Sequence, residues 1–165
     1  MGSGARSQPV GLTPIAVTRA TASDLPEVTA LERTCYSDPW PPAAFAVLPA
    51  NARVFFGVVR LTVNGPIVGY AIAWYVLDEG ELANLAVARD ARRQGIGREL
   101  LQAVLADARA RGVRALYLEV RESNVAAREL YAAQDFEEVG RRKEYYRSPV
   151  EDALILRRTL EPQLI

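Results

Sequence analysis

The segment NLAVARDARRQGIGRELLQAVLADARARG, residues 84–112, decides how the middle of the chain folds. It joins a short apolar strand, predicted over 81–89, to a long amphipathic helix, predicted over 96–110. The apolar positions of that helix recur at helical spacing: Ile96, Leu100, Leu101, Val104, Leu105 and Ala108. Gly112 then predicts its end, because glycine accepts the left-handed conformation that closes a helix. A strand that runs into a helix through a polar turn favours an α/β fold.

The turn between this strand and this helix is rich in glycine and arginine. Its residues are Arg92, Arg93, Gln94, Gly95, Ile96, Gly97 and Arg98. A helix N-terminus presents free N–H groups and the positive end of the helix dipole, so such a turn attracts phosphate. The glycine spacing matches neither GxGxxG nor GxxxxGK[ST], which argues against Rossmann and P-loop sites. Position and charge alone leave two interpretations open, a phosphate-binding turn and a structural turn with solvated arginines.

The rest of the chain predicts an α/β mixed sheet in the order β-α-(α)-β-β-β-α-β-α-β-β. Strands are predicted over 15–20, 53–63, 67–77, 114–120, 138–146 and 152–160, and further helices over 25–35, 42–48 and 124–133. Asp24 is the predicted N-cap of the first helix, and Asn64-Gly65 the turn of a β-hairpin. We expect one domain over 15–165, after a flexible N-terminal tail over 1–14 that is rich in Gly, Ser and Pro.

Histidine is absent from all 165 residues, and there is one cysteine. These counts exclude Ser-His and Cys-His nucleophiles, His-ligated metal sites, internal disulfides and CxxC motifs, so no metal site is expected. Cys35 falls on the apolar face of the first helix with Leu25, Val28 and Leu31, and is predicted to pack in the core. Any chemistry must use carboxylates, phenols, backbone amides or a bound cosubstrate.

The 20 basic and 20 acidic residues give a net charge of +0. General nucleic-acid binding needs a basic surplus, so no direct nucleic-acid partner is expected. The apolar stretches are too short and too interrupted to span a bilayer, and the N-terminus lacks the apolar run of a signal peptide. We therefore expect no membrane association and a cytoplasmic location.

A second stretch, LYLEVRESNVAARELYAAQDF at 116–136, carries a specific resemblance. Together with NLAV and Arg92-x-x-Gly95-x-Gly97, it resembles the GCN5-related N-acetyltransferase (GNAT) superfamily, and within it the RimI type, which acetylates the N-terminal alanine of a small-subunit ribosomal protein. Later features of that type follow in order: Tyr145-Tyr146 and the EDA segment 151–153. The resemblance implies a single-domain GNAT fold, a mixed sheet of about six to seven strands flanked by about four helices. Asp135 replaces the family's glycine, and only a local change is expected, because Asp tolerates left-handed geometry.

The resemblance implies acetyl-CoA as cosubstrate. In the family the glycine turn binds the CoA pyrophosphate, which here assigns Arg92, Arg93, Gln94, Gly95, Ile96, Gly97 and Arg98 to cofactor binding. Backbone groups of Leu85, Ala86 and Val87 would hold the pantetheine arm and the acetyl carbonyl. Asn124, a plausible helix cap, matches a family residue that contacts CoA.

Two residues acquire catalytic roles from the resemblance. Taken alone, Glu119 on its strand would be a solvated surface residue, and Tyr131 on its helix a core residue. The matching family residues make Glu119 the general base and Tyr131 the general acid for the thiolate of CoA. Acetyl transfer to an amine needs no more than this, because an α-amino group has a pKa of only about 7.7–8.0.

The acceptor side carries the least specific signals. Trp40, Glu79, Glu81, Tyr145 and Tyr146 are the predicted substrate-binding residues. The tyrosines would hold the first residues of a peptide, and the glutamates would attract a basic tail, although a solvated turn and an ordinary aromatic pair explain the same residues. The predicted partner is the N-terminal segment of a protein, a small-subunit ribosomal protein by resemblance. Two alternatives stay open: acetylation of a small amine (a polyamine, amino acid or antibiotic) and a non-catalytic CoA-binding module.

Overall fold

The computed structural model describes residues 14–161, and within them the chain forms seven strands and four helices. In chain order these are β1 (Val17–Arg19), α1 (Leu25–Cys35), α2 (Pro42–Ala46), β2 (Val54–Arg60), β3 (Ile67–Val76), β4 (Glu79–Val87), α3 (Ile96–Ala110), β5 (Ala115–Arg121), α4 (Val125–Ala133), β6 (Glu137–Tyr146) and β7 (Glu151–Thr159). The predicted mixed α/β class and its element order are confirmed. The predicted tail lies outside the described residues, apart from Pro14, as do residues 162–165.

The seven strands form one sheet in the order β1-β2-β3-β4-β5-β7-β6. Among the described strands, β4 and β5 pair in parallel and all other neighbours pair antiparallel. The parallel pair requires a crossover, which α3 provides, as parallel strands need. The glycine turn therefore lies at the C-terminal end of β4, near the middle of the sheet.

Helices cover both faces of the sheet. The larger apolar cluster lies under α3 and extends to Tyr131 of α4, and a second cluster lies under α1 and α2. Strand β3 is buried on both faces, with Ala71 in the first cluster and Ile72 in the second, both at 0% exposure. Its near-continuous apolar sequence follows from this double burial.

An opening separates β4 from β5. The two strands pair from Glu79 opposite Ala115 to Leu82 opposite Leu118, and each then continues without the other. The register of β4 against β3 shifts at the same place, because Ala73 pairs with Leu82 and Ile72 with Asn84. Ala83 is therefore an extra residue, and such a bulge bends its strand and re-aims the residues that follow.

Two local predictions need correction. The predicted hairpin is confirmed, since β2 and β3 pair antiparallel, but its strands end at Arg60 and restart at Ile67, so six residues connect them rather than the Asn64-Gly65 turn. Pro66 has no N–H for the ladder, and Gly65 N–H bonds to Thr62 O within the longer loop.

The second correction concerns the cap before α1. Asp24 does occupy the predicted N-cap position of α1, but it has helical dihedral angles and its side chain makes no capping hydrogen bond there. Its carboxylate instead accepts from Thr21 N–H at 2.8 Å, where Thr21 caps a short 3-10 turn over Ala22–Asp24 that leads into the helix. The sequence therefore does mark a helix start here, but the capping hydrogen bonds form at the 3-10 turn that precedes α1.

Other local predictions are confirmed. Helix α3 has the predicted bounds, and Asn124 caps α4 by accepting from Ala127 N–H at 3.2 Å. Asp135 adopts φ 62°, the left-handed geometry expected where the family has glycine. Cys35 is half-buried and packs against the second cluster. None of the described helices is long and apolar enough to cross a membrane.

Candidate active site

The opening between β4 and β5 exposes backbone groups rather than side chains on its β4 wall. Ala88 N–H donates to Val68 O at 2.8 Å, so Ala86 and Ala88 turn their backbone groups toward β3. By the alternation of an antiparallel ladder, Leu85 and Val87 turn theirs toward the opening, where β5 no longer pairs with them. Of the three predicted residues, the geometry thus favours Leu85 and Val87, whereas the N–H and C=O of Ala86 belong to the β3 side.

The side chains of Cys35, the last residue of α1, and of Tyr36, which follows it, contact this β4 wall. The Tyr36 hydroxyl donates to Leu85 O at 2.6 Å, and Cys35 Sγ donates to Val87 O at 3.6 Å. Burial is the main cause that raises the pKa of Tyr36. Tyr36 was not predicted as a site residue, and it could not have been, because its partner is a backbone atom 49 residues away.

The glycine turn forms a cradle of backbone N–H groups. Within residues 14–161, the six successive N–H groups from Arg93 to Arg98 have no acceptor, whereas Glu99 N–H bonds to Gly95 O at 3.0 Å. Gly95 has φ 81° and Arg93 φ 62°, so the chain bends in left-handed steps that turn several N–H groups to one side. Such a cradle at a helix N-terminus suits an anion.

The charged side chains of the turn differ in what they do. Arg92 Nε donates to Val87 O at 3.1 Å, so this arginine ties the turn to the end of β4. Arg93, Gln94 and Arg98 are exposed, and no ion pair engages the two arginines in the part of the chain that the structure describes. The phosphate-binding interpretation predicts free guanidinium groups, and Arg93 and Arg98 provide them.

Helix α4 closes over this turn. A Cβ placed on Gly97 would lie 3.3 Å from Leu130 Cδ2 and 3.8 Å from Val87 Cγ2, so α3, α4 and β4 meet closely at this glycine. Ile96 is 1% exposed and anchors the helix start in the larger cluster. Asn124 lies at the N-terminus of α4, where its side-chain oxygen already serves as the cap.

Glu119 lies on β5 just beyond the last paired residue, on the face opposite Leu118 and Val120. Its side chain is 20% exposed and forms an ion pair with Arg142 at 2.6 Å. The carboxylate also lies beside the Tyr145 hydroxyl, and this contact is the main cause that raises the pKa of Tyr145. Glu119 is thus a half-buried carboxylate at the mouth of the opening, with a guanidinium and two phenols around it.

Tyr131 lies on α4 and is buried, at 7% exposure. Burial is the main cause that raises its pKa, and the neighbouring Tyr146 adds to the effect. Burial likewise raises the pKa of Tyr146 to about 12, with the Glu119 charge as the next cause. Tyr131 and Tyr146 are therefore both protonated at neutral pH.

The predicted acceptor-binding residues divide into a set that lies beside Glu119 and a set that lies farther from it. Tyr145 and Tyr146 pack edge to face, with ring centroids 5.1 Å apart, beside Glu119. Glu81 pairs with Tyr117 across the sheet and accepts from Trp74 Nε1 at 3.1 Å. Glu79 pairs with Ala115, four residues before Glu119, which corresponds to about 13 Å of strand.

Trp40 lies on the segment between α1 and α2. Its ring stacks on Trp74 at 5.9 Å and forms part of an apolar depression of about 320 Å³. The depression is also lined by Pro41, Ala44 and Leu48. Since Trp74 is the cross-strand partner of Glu81, the depression and this carboxylate lie side by side.

A buried polar cluster holds this segment and was not predicted. Glu32 is 1% exposed and accepts from the Tyr70 hydroxyl, from Asn84 Nδ2 at 2.8 Å and from Trp40 N–H at 3.0 Å. Burial is the main cause that raises its pKa. A signal for it exists in the sequence, because Glu32 follows Val28 by four residues and so lies on the apolar face of α1.

Arg142 is a further site residue that the sequence did not reveal. Its place beside Glu119 depends on the register of β6 against β7, which shifts between Arg142 and Tyr146. Glu144 has φ 51° in that irregular stretch. Nothing in a run of charged residues such as RRKE indicates which one reaches the neighbouring carboxylate.

Comparison with known proteins now adds to this geometry. The family model described as "Acetyltransferase (GNAT) family" matches residues 25–136, from α1 to the end of α4. The chain belongs to the GNAT acetyltransferase family. It is therefore an acyltransferase, and the GNAT fold expected from the sequence is confirmed.

Two curated relatives narrow the place of this acetyltransferase within the family. The [ribosomal protein bS18]-alanine N-acetyltransferase of Escherichia coli strain K12 is 40% identical over 136 residues, covering 81% of this chain and 90% of the relative. The enzyme of the same name from Haemophilus influenzae is 35% identical over 133 residues, covering 81% and 88%. The resemblance to the RimI type is thereby confirmed.

A solved structure agrees with the sequence relatives. The crystal structure of the ribosomal-protein-S18-alanine N-acetyltransferase from Escherichia coli superposes with a TM-score of 0.80 and 34% identity, covering 92% of this acetyltransferase and 99% of that chain. The crystal structure of Ard1 from Thermoplasma volcanium also superposes with a TM-score of 0.80, at 25% identity, covering 89% and 98%.

Proposed function

We propose that this protein is an acetyl-CoA-dependent N-α-acetyltransferase that acetylates the N-terminal amine, an alanine, of a small-subunit ribosomal protein. The substrate is inferred from its relatives, which are alanine N-acetyltransferases of ribosomal protein bS18. The observation that carries the proposal is the setting of Glu119. This carboxylate lies where β4 and β5 part, with the Tyr145-Tyr146 pair on one side and the backbone groups of Leu85 and Val87 across the opening.

The β4–α3 half fits acetyl-CoA. The six open N–H groups of the turn and the side chains of Arg93 and Arg98 would bind the pyrophosphate. The carbonyl oxygens of Leu85 and Val87 already accept from side chains, and the N–H groups of these two residues offer strand-like hydrogen bonds to an amide-bearing arm. Bound there, acetyl-CoA supplies an activated thioester. Arg92, Gln94, Ile96 and Gly97 shape this cradle, and Asn124 would add a contact from the cap of α4.

Glu119 would act as the general base. A free α-amino group has a pKa of about 7.7–8.0, so a carboxylate that accepts its proton, directly or through one water, keeps enough amine neutral to attack. In the described structure Arg142 forms an ion pair with Glu119. The ammonium group of an arriving acceptor would replace the guanidinium as the counter-charge of this carboxylate. Attack would be direct, with both substrates bound together, because Glu119 and Tyr131 between them supply the two proton transfers that the reaction needs.

Tyr131 would protonate the departing thiolate. Burial raises the pKa of this phenol, so Tyr131 carries its proton throughout the physiological range and can donate it. The chain thus divides the two proton transfers between neighbouring elements, with Glu119 on β5 and Tyr131 on α4.

Thiol release tests the proposal directly. Wild-type enzyme with acetyl-CoA is assayed against peptides that differ only in the first residue, and against free amines such as a polyamine and single amino acids. We expect the peptide beginning with Ala to have the highest kcat/KM. Greater activity on a free amine would replace the proposal with small-molecule acetylation, and CoA binding without turnover on any amine would indicate a non-catalytic module.

Substitution of Tyr131 tests the acid. Tyr131→Phe should lower kcat roughly 10- to 100-fold with little effect on CoA affinity, because the thiolate loses its donor. Tyr75→Phe is the matched control, since Tyr75 is also buried and its hydroxyl bonds to Val104 O, away from the opening. Equal loss in both variants would assign the effect to packing.

The cytoplasmic location expected from the sequence accords with a ribosomal-protein substrate and stays a prediction.

A further inference from the structure

We propose that Arg121 positions the β6–β7 loop, residues 147–150, and the adjoining Tyr146, and thereby determines how tightly the acceptor peptide is held. The inference rests on the proposed function, since it concerns the acceptor side of that site. It adds a positioning residue, Arg121, that touches neither the base nor the cofactor cradle.

Arg121 shares a strand face with the base. It follows Glu119 by two residues on β5, so both side chains leave the same face, about 6.6 Å apart along the strand. The Arg121 side chain is 22% exposed, and Arg121 pairs with Ala153 of β7, beyond the point where β4 leaves β5. Its position lets it reach the loop that Glu119 cannot reach.

Three contacts fasten the loop to this one side chain. Arg121 Nη1 donates to Pro149 O at 3.0 Å, and Nη2 donates to Arg147 O at 2.9 Å. The guanidinium carbon lies 4.4 Å from the ring centroid of Tyr146. One planar group thus bonds two loop carbonyls and stacks on the last residue of β6.

The chemistry explains why the residue is arginine. A guanidinium presents a rigid fork of donors and a flat face, so it can bond two carbonyls while it stacks on a phenol. A lysine ammonium is a point charge on a flexible stem and would keep at most part of this arrangement. The identity of the side chain, and not its charge alone, fixes the loop.

The ends of the loop have anchors besides Arg121, although Arg121 Nη1 also lies 3.8 Å from Glu151 Oε2. Glu151 accepts from Ser123 N–H at 2.6 Å and from Ser123 Oγ at 2.8 Å. Arg141 bridges Glu122 at 2.7 Å and Asp152 at 2.9 Å. Loss of Arg121 would therefore free residues 147–150 and the Tyr146 ring while β6 and β7 stay paired.

Freedom of Tyr146 matters because of its neighbours. Tyr146 packs edge to face on Tyr145, with ring centroids 5.1 Å apart, and the Glu119 charge contributes to its raised pKa, so its ring adjoins the groups around the base. An acceptor held against a mobile Tyr146 would bind more weakly and less well aligned, and small misplacements reduce rate steeply. A free amine too short to reach the loop would be unaffected.

The experiment compares Arg121→Gln and Arg121→Lys with wild type. We expect Arg121→Gln to raise KM for an Ala-initiated peptide about tenfold or more, with CoA affinity and KM for a free amine within twofold of wild type. Arg121→Lys should fall between the two. Arg158→Gln is the control, because Arg158 donates to Gln134 O at the end of α4, remote from the loop.

Amide hydrogen exchange gives a readout that does not depend on activity. Exchange of the loop amides within 147–150 should accelerate in Arg121→Gln and not in Arg158→Gln, with the amides of β7 unchanged in both. Unaltered exchange in Arg121→Gln overturns the inference, and so does faster exchange with an unchanged peptide KM or with an equal rise for the free amine. If the wild type acetylates no peptide, the proposed function fails, and the exchange data still decide whether Arg121 holds the loop.

Discussion

The two sides of the opening are built from different materials. On the β4–α3 side, the site consists of backbone: six successive N–H groups from Arg93 to Arg98 and the turned-out groups of Leu85 and Val87. On the β5–β6–β7 side it consists of side chains, with Glu119 paired to Arg142 and flanked by tyrosines. One side can bind a constant ligand through main-chain geometry, whereas the other presents groups whose identity determines chemistry and acceptor.

This difference predicts two kinds of mutational response. A side-chain change on the β5 side should alter kcat or acceptor KM and leave CoA binding intact. A change in the β4–α3 turn should act through backbone conformation, because glycine is there for its φ value and for close approach rather than for chemistry. Helix α4 is common to both, since Leu130 packs at Gly97 and the proposed acid Tyr131 is the next residue of the same helix.

The largest effect is expected at the base. Glu119→Gln keeps the size of the side chain and removes the proton acceptor, so kcat should fall roughly 10²–10⁴-fold while the Kd for CoA changes little. Steady-state thiol release with the Ala-initiated peptide measures the first quantity, and calorimetry with CoA measures the second. A large loss of CoA affinity would contradict the separation of the two sides.

Arg142→Gln supplies the control for that loss. Glu119→Gln removes both the base and its ion pair, at 2.6 Å, whereas Arg142→Gln keeps the carboxylate and removes the ion pair together with the guanidinium contact on the Tyr145 ring. We expect Arg142→Gln to keep kcat within severalfold of wild type. Equal losses in the two variants would mean that the carboxylate matters for structure and not as a base.

The next effect is expected in the backbone cradle. Gly95 has φ 81° and nothing within 4 Å of a Cβ, so Gly95→Ala meets no clash and suffers only from the left-handed conformation. That conformation costs an alanine about 1–2 kcal/mol, and relief of the strain would distort the cradle. We expect the Kd for CoA to rise about tenfold, with kcat at saturation little changed.

Gly112 provides a matched control within the same helix. It has φ 76° and equally open space, at the C-terminal end of α3 rather than the N-terminal end. Gly112→Ala should lower the free energy of unfolding by a similar amount and leave CoA affinity unchanged. A loss of affinity in both variants would show that general destabilisation, and not the cradle, is responsible.

The sequence predicts the backbone side better than the side-chain side. Amphipathic spacing and Gly112 define α3 correctly, and glycines in a strand-to-helix turn carry the anion-binding hypothesis without knowledge of any neighbour. The partners Arg142 and Tyr36 depend on strand register and on contacts between distant segments, so local patterns cannot show them. The bulge at Ala83, which opens the sheet, likewise has no glycine or proline to mark it.

A smaller effect should distinguish the two glutamates proposed to attract a basic acceptor. Glu81 lies about two residues of strand from the level of Glu119, and Glu79 about four. Glu81→Lys should raise KM for a peptide with arginines after its first residue severalfold at low salt, and less at high salt, and Glu79→Lys should do so more weakly. Glu81→Gln keeps an acceptor for Trp74 Nε1 and isolates the charge. An unchanged KM in both reversals would refute electrostatic attraction by this strand.

The smallest effect concerns the turn that ends α4. Asp135 has φ 62°, and Phe136 N–H returns to Tyr131 O at 3.1 Å, so this turn finishes the helix that carries the acid. Asp135→Gly removes a strain of about 1–2 kcal/mol, offset by about 0.5–1 kcal/mol of extra freedom in the unfolded chain. Denaturant unfolding should therefore show a gain of about 0.5 kcal/mol in the free energy of unfolding with an unchanged slope, and Asp135→Ala should show a loss.

Because α4 contacts both sides of the opening, kcat and CoA affinity should stay at wild-type values in Asp135→Gly. A change in kcat alone would indicate that the turn sets the position of Tyr131 for the acceptor side, and a change in CoA affinity alone would place its influence at Gly97.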